Sequence, residues 1–306
     1  MRKPFPAAPQ RPLLTALGAM LALVALPAWA TPFFFSTGNV TNLMATATRP
    51  DSTGKFEIES ADDFVVPTLS GPSNTTINSA TFTGLLTGGA TIADIGEVRV
   101  EIYRVFPALS DVGRTSGPPT FSTPEVPTRV NSPSDVELVD RDTASGNLTF
   151  TISDLGAFAA ANSVQPGGIH PKPGQTTTGN GSVTGEEVQF NVTFTTPFYL
   201  TPDHYFFVPQ VEVTTANGNF LWLTGTRPIV APGTPFPAGF TDLQEWTRDD
   251  MLAPDWLRVG TDIVGGATPP TFNGAFTLTG TTPEPGTALL LGAGAIALWW
   301  RRRRSA

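Results

Sequence analysis

Several stretches of the chain alternate apolar and polar residues with a period of two. In "GEVRVEIYRVFP", Val98, Val100 and Ile102 fall on one side and Glu97, Arg99 and Glu101 on the other. In "EEVQFNVTFTTPF", Val188, Phe190, Val192 and Phe194 alternate with Gln189, Asn191, Thr193 and Thr195. "GNLTFTIS" sets Leu148, Phe150 and Ile152 against Asn147, Thr149 and Thr151, and "NGAFTLTG" repeats the pattern with Phe276 and Leu278. Alternate side chains of an extended strand point to opposite faces. Each stretch therefore predicts a half-buried antiparallel strand, with one face in a core and one in water.

Other stretches are apolar at consecutive positions. "HYFFVPQVEV" and "NFLWLTG" predict two more completely buried strands, with Asn217-Gly218 predicting a hairpin turn between them. Pro209 predicts a bulge or an edge position, because proline has no N–H to give a ladder. "INSATFTGLL", "KFEIESADDFVV" and "DWLRVGTDIV" add further strands. "DLGAFAAANSV", residues 154–164, predicts a short turn of helix opened by Asp154, and no longer helical period occurs in the body. Residues 107–135 and 165–185 are too rich in Pro or Gly for regular structure and predict long loops. No fixed repeat is visible, which argues against a solenoid or propeller. Many strands without a βαβ rhythm predict an all-β fold, an antiparallel β-sandwich of jelly-roll type. Similar strand chemistry on both sides of the two loops predicts one domain over 31–280.

Composition changes this picture in two ways. The 306 residues contain no cysteine, which excludes a disulfide framework, a thiol nucleophile and a Cys-ligated metal. The formal net charge is −8, but Arg2, Lys3, Arg11 and Arg301–Arg304 sit at the two ends, so the middle carries roughly −14. A body this acidic argues against nucleic acid, whose binding depends on Lys and Arg neutralising phosphates.

Both ends read as addresses. Arg2, Lys3 and Arg11 precede an apolar run from Leu13 to Leu26, and Ala28-Trp29-Ala30 follows as a small-residue cleavage site. Residues 1–30 therefore predict a secretory signal peptide, with export through the Sec translocon and cleavage by signal peptidase after Ala30. At the other end, Gly286 to Trp300 form an uncharged segment of about 15 residues. A full helical span needs about 20. The segment predicts a short hydrophobic helix and a transient inner-membrane anchor, with Trp299 and Trp300 at the interface and Arg301, Arg302, Arg303 and Arg304 on the cytoplasmic side. Pro283-Glu284-Pro285, then a short hydrophobic helix, then an arginine cluster resembles the PEP-CTERM sorting signal. The resemblance covers residues 281–306. It implies that an exosortase in the inner membrane of a Gram-negative, exopolysaccharide-making bacterium recognises Pro283, Glu284 and Pro285, cuts nearby, and passes the protein to the surface or extracellular matrix. The same type of tail is carried by certain ice-binding proteins, which says nothing about the module in front of it.

Candidate chemistry in the body is sparse. His170 and His204 are the two histidines, and neither sits in a metal-binding or triad motif. Asp62-Asp63, Asp140 with Asp142, and Asp249-Asp250 are candidate ligands for a structural Ca²⁺, although Asp140-x-Asp142 lacks the rest of an EF-hand loop. No other cofactor is expected. Trp246 and Trp256 lie among Asp249, Asp250 and Asp255, and with Trp222 form a candidate sugar platform. Burial in the core is the competing expectation for the same rings. Thr-x-Thr triplets at 81–83, 149–151, 193–195 and 277–279 recur at no fixed period, whereas ice binders require a regular flat array. These features predict a non-catalytic, exopolysaccharide- or biofilm-associated module that is structural or binds glycans. The alternatives are a secreted carbohydrate-active hydrolase on the same scaffold and a protein that binds ice or another surface.

Overall fold

The computed structural model describes residues 31–68, 74–113, 131–169, 176–226 and 244–282. Outside these residues lie the expected signal peptide with Ala28 and Ala30, the Pro283-Glu284-Pro285 motif, the tail helix and Arg301–Arg304. His170 and much of the expected 107–135 loop lie outside them too. Among the described residues the chain forms fourteen strands. The first seven are β1 (Thr31–Ser36), β2 (Val40–Ala47), β3 (Ile58–Val66), β4 (Thr75–Thr87), β5 (Ile95–Arg104), β6 (Val139–Asp142) and β7 (Leu148–Ala160). The rest are β8 (Ser163–Val164), β9 (Val183–Leu200), β10 (Asp203–Val213), β11 (Asn219–Gly225), β12 (Trp246–Asp249), β13 (Leu257–Arg258) and β14 (Phe276–Thr282).

The strands make two sheets. One runs β13-β12-β3-β10-β5-β6. The other is built on β4, whose one side pairs with β9 and through it with β7. The other side of β4 pairs with β14 and then β1 over its first part, and with β11 and then β2 over its last. All pairs are antiparallel except the short β2–β8 contact. The alternation seen in the sequence sets which side faces inward. Val98, Val100 and Ile102 from β5 meet Val188, Phe190, Val192 and Phe194 from β9 in one core between the sheets. Its centre is aromatic: Phe82 stacks on Phe190 at 4.8 Å, and Phe207 on Phe276 at 4.8 Å. Burying each such ring is worth about 1.5–3 kcal/mol, so this seam is the main reason the sheets stay together.

The structure departs from several expectations. Residues 154–160 continue β7 instead of forming a helical turn. The long β9 offers an edge along this whole segment, and Gly156, with φ of +90°, absorbs the one-residue register shift between Asp154 and Gly156. The turn before β11 is not a hairpin: β10 and β11 belong to different sheets. The type I′ hairpin turn typical of Asn-Gly needs left-handed φ at both central residues, and neither Asn217 nor Gly218 has it. The Lys55 Nζ instead locks this arch, donating to the carbonyls of Val213, Thr215 and Gly218 at 2.6–2.8 Å. Pro209 lies in a central strand, two residues past Phe207, where the ladder between β10 and β3 ends, so its missing N–H interrupts nothing on that side. The expected late strand reduces to β13, followed by a π-helical turn at Val259–Val264. Asp262 accepts from the Arg258 backbone N–H at 2.8 Å and pairs with its guanidinium, which closes that turn. At the edges of the expected loops, β9 already starts at Val183, and β14 runs through Thr281 and Thr282, into the segment 281–306 that resembles the sorting signal.

Candidate functional site

The outward side of the β4-centred sheet brings the scattered Thr-x-Thr triplets together. Strand register places Thr149, Thr193, Ser79, Thr279 and Phe34 side by side across β7, β9, β4, β14 and β1. The next row is Thr151, Asn191, Thr81, Thr277 and Ser36. A third holds Ser153, Gln189 and Thr83. On the opposite flank, Tyr199, Thr76, Thr281 and Pro32 form a fourth. The positions between these residues point into the aromatic core, as with Phe82, Phe190 and Phe276. Threonine suits this role because a β-branched side chain is stiff and packs well on a pleated surface.

The array is tied laterally and carries no charge. Thr81 and Thr277 share a hydroxyl–hydroxyl bond of 2.7 Å, and Ser79 and Thr279 share another. Asn191 Nδ2 donates to Ser153 Oγ at 3.3 Å, and Gln189 Nε2 to Thr83 Oγ1 at 3.4 Å. Two open depressions lie over the rows. One of about 500 Å3 is lined by Ser79, Thr81, Thr149, Thr151, Asn191 and Thr193. The other, of about 470 Å3, is lined by Phe34, Ser36, Thr81, Thr83, Gln189 and Thr277. Phe34 and Tyr199 are 59% and 64% exposed, unusual for rings that could have been buried.

The outward side of the other sheet has different chemistry. Glu59, on β3, faces Arg248, on the neighbouring β12. Arg248 Nη2 donates to Glu59 Oε1 at 3.0 Å and to the Tyr103 hydroxyl at 2.9 Å, and Nε donates to the other carboxylate oxygen. The Tyr103 hydroxyl donates to Glu59 Oε1 at 2.5 Å. Trp256 lies over the guanidinium, 4.2 Å from its ring centre, and its Nε1 donates to the Ser134 carbonyl. Burial pushes Arg248 down, but Glu59 and Tyr103 outweigh that and hold it above its ordinary value. Burial, then the charges of Glu59 and Glu57, pushes Glu101 well up, and burial followed by Glu59 raises Glu57. Just before β12, burial pushes the Glu245 carboxyl up to about 8, against a smaller lowering by its hydrogen bond with Thr46.

The residues singled out in the sequence separate in space. Trp222, Trp246 and Trp256 are at most 1% exposed, so none offers a ring face to a sugar. Trp222 donates its Nε1 to the Ala275 carbonyl in the main core, and the other two pack with Tyr103, Phe206 and Val208. Asp62 and Asp63 are buried on opposite faces of β3, and Asp63 meets His204 Nε2 at 2.5 Å. Asp142, at the end of β6, accepts from the Ser145 backbone at 2.5 Å, and Asp140 lies on the same edge strand. Asp249 caps the turn after β12 by accepting from the Met251 and Leu252 backbones, and Asp250 is exposed beside it. Among the described residues no three His, Asp or Glu side chains form a group that could hold a metal ion. The residues missed were Ser79, Phe34 and Tyr199 as members of one surface. The triplets were the signal for it, but they are aligned by cross-strand register, not by spacing along the chain.

A family model described as the PEP-CTERM protein-sorting motif matches residues 281–304. No curated protein and no solved structure matches the chain. No helix among the described residues is long and apolar enough to cross a membrane. The chain carries the sorting motif of exosortase substrates, and the motif implies export to the surface of a Gram-negative cell.

Proposed function

We propose that this protein is a non-catalytic component of the cell surface or extracellular matrix, held there by adhesion of the hydroxyl face to extracellular polysaccharide. The observation that carries this reading is the in-register, uncharged array on five neighbouring strands of an exported chain. A glycoside hydrolase needs two carboxylates flanking an open sugar site. Glu59 and Glu101 are buried beside the half-buried Glu57, and Glu59 is tied to Arg248 under Trp256. Asp154 and Glu186 at the surface hydrogen-bond directly to each other and leave no room for a sugar between them, which favours adhesion over hydrolysis. The threonine content of the face favours ice or another ordered surface as the second reading. Export by Sec, transient anchoring by the tail and release by exosortase belong to the same proposal.

The test is replacement of Pro283-Glu284-Pro285 by alanines in a producing strain, followed by fractionation. Wild type is expected in the extracellular matrix fraction at its processed length. The variant is expected to stay with the membranes at a greater length. A variant released and shortened like wild type overturns the sorting part, and a processed wild type absent from the matrix overturns the adhesion part.

A further inference from the structure

We propose that the face formed by β7, β9, β4, β14 and β1 binds a neutral polysaccharide chain, lying across the strands along the two central rows. The inference rests on the adhesion reading and names its ligand class. Three observations point to it.

The first is charge. The middle of the chain carries roughly −14, yet none of the four rows contains an acidic or basic residue. An anionic polymer finds no cation here and meets a negatively charged body. A cationic polymer finds no carboxylate within the rows; Asp154 of β7 and Glu186 and Glu187 of β9 lie beyond the third row, at one end of the face. A neutral polyol requires no ionic group to be stripped of water.

The second is the match of donors and acceptors. Each Ser or Thr hydroxyl both donates and accepts, and Asn191 and Gln189 add amides. Neighbouring strands lie about 4.7–4.9 Å apart, so the rows repeat the same pair of functions at regular intervals, as sugar hydroxyls do. The lateral bonds Thr81–Thr277 and Ser79–Thr279 fix part of the array beforehand, which lowers the ordering cost on binding.

The third is the exposed rings. Phe34 ends one central row and Tyr199 stands in the flanking row, both mostly in water. Aromatic faces stack on the apolar faces of sugar rings, and the two depressions over the rows meet at Thr81 and run toward Phe34.

The experiment is native affinity electrophoresis of the mature protein beginning at Thr31. Gels contain a neutral glucan (hydroxyethylcellulose or dextran), or alginate as the anionic comparison. Wild type is expected to be retarded by a neutral glucan and not by alginate. The double variant Thr151→Arg, Thr193→Arg is expected to lose neutral binding by roughly tenfold or more and to gain retardation in alginate. Phe34→Ala and Tyr199→Ala should each lose several-fold, and Met251→Ala, exposed beyond β12 in the other sheet, nothing. The milder Thr151→Val, Asn191→Ala pair replaces the arginine variant if that fails to melt cooperatively. No retardation by neutral glucans, retardation by alginate alone, or neutral binding unchanged in all face variants overturns the proposal. Ice shaping by wild type without glucan retardation overturns it in favour of ice. Retention of wild type in the native matrix keeps the adhesion reading alive even when the neutral-ligand assignment fails, and loss of both removes both.

Discussion

The outward sides of the two sheets begin from the same sequence rule and end as opposites. Both take the polar positions of alternating strands. On the β4-centred sheet these are hydroxyls and amides, and apart from the buried Thr83 they stay open or half-open. On the other sheet they include Glu57, Glu59, Glu101 and Arg248, and segments 132–136 and 249–256 lie over part of them through Ser134, Asp135, Pro254 and Trp256. Charged groups are ordinarily the ones left in water. Here most of the neutral face reaches water and the Glu59–Arg248 part of the charged one is covered, which separates a surface suited to contact from one committed to holding the domain together.

The sharpest way to break this contrast is Arg248→Ala. It leaves Glu59 buried without its cation, and losing one member of a buried pair costs about 3–5 kcal/mol. Urea unfolding should show a loss of that size, and a loss below about 1 kcal/mol would mean that the network is not structural. Tyr103→Phe is gentler. It removes a hydroxyl that donates to Glu59 and accepts from Arg248, and leaving buried partners unsatisfied costs about 1–3 kcal/mol.

Glu245, buried just before β12, adds a pH test of the interior. Its carboxyl rises from 4.5 to about 8 in the folded protein, so between these values the native state holds a proton that the unfolded chain has released. Stability is full below the unfolded value and falls as pH rises through 8, by about 1.4 kcal/mol per pH unit at its steepest. Glu245→Gln should flatten that slope in unfolding experiments between pH 5 and 8.5. A slope unchanged in the variant would assign the dependence to another group. The smallest effect belongs to the open side: Thr151→Val, on an exposed position of the face, should change stability by no more than about 0.5 kcal/mol.

The alternation in β5, β7, β9 and β14 was legible, because a period of two is a local property of one strand. The sheet faces inherited it directly. What was not legible depended on partners distant in sequence. Residues 154–160 read as helical until β9 supplied an edge. Asn217-Gly218 read as a hairpin, although turn chemistry does not say whether the strands on either side will pair. The Thr-x-Thr triplets show no fixed period along the chain, because the pairings of β9 with β7 and β4, and of β4 with β14, are what bring them abreast. The tryptophans near Asp249 and Asp255 left two readings, a binding platform and core burial, and burial holds because large rings beside an arginine under a loop gain more from it than from exposure.

The pairing of Thr31 with Thr282 has a mechanical consequence. β14 is bonded along one side to β1 and along the other to β4, and the match to the sorting motif begins within it, at residue 281. Tension applied through the tail would enter the domain at the end of β14. Pulled along its length, its hydrogen bonds to both neighbours would share the load at once in shear. The strand that supplies Thr277, Thr279 and Thr281 to the face is also the one that leads into the sorting motif, so on the proposed reading grip and tether would load the same ribbon of backbone.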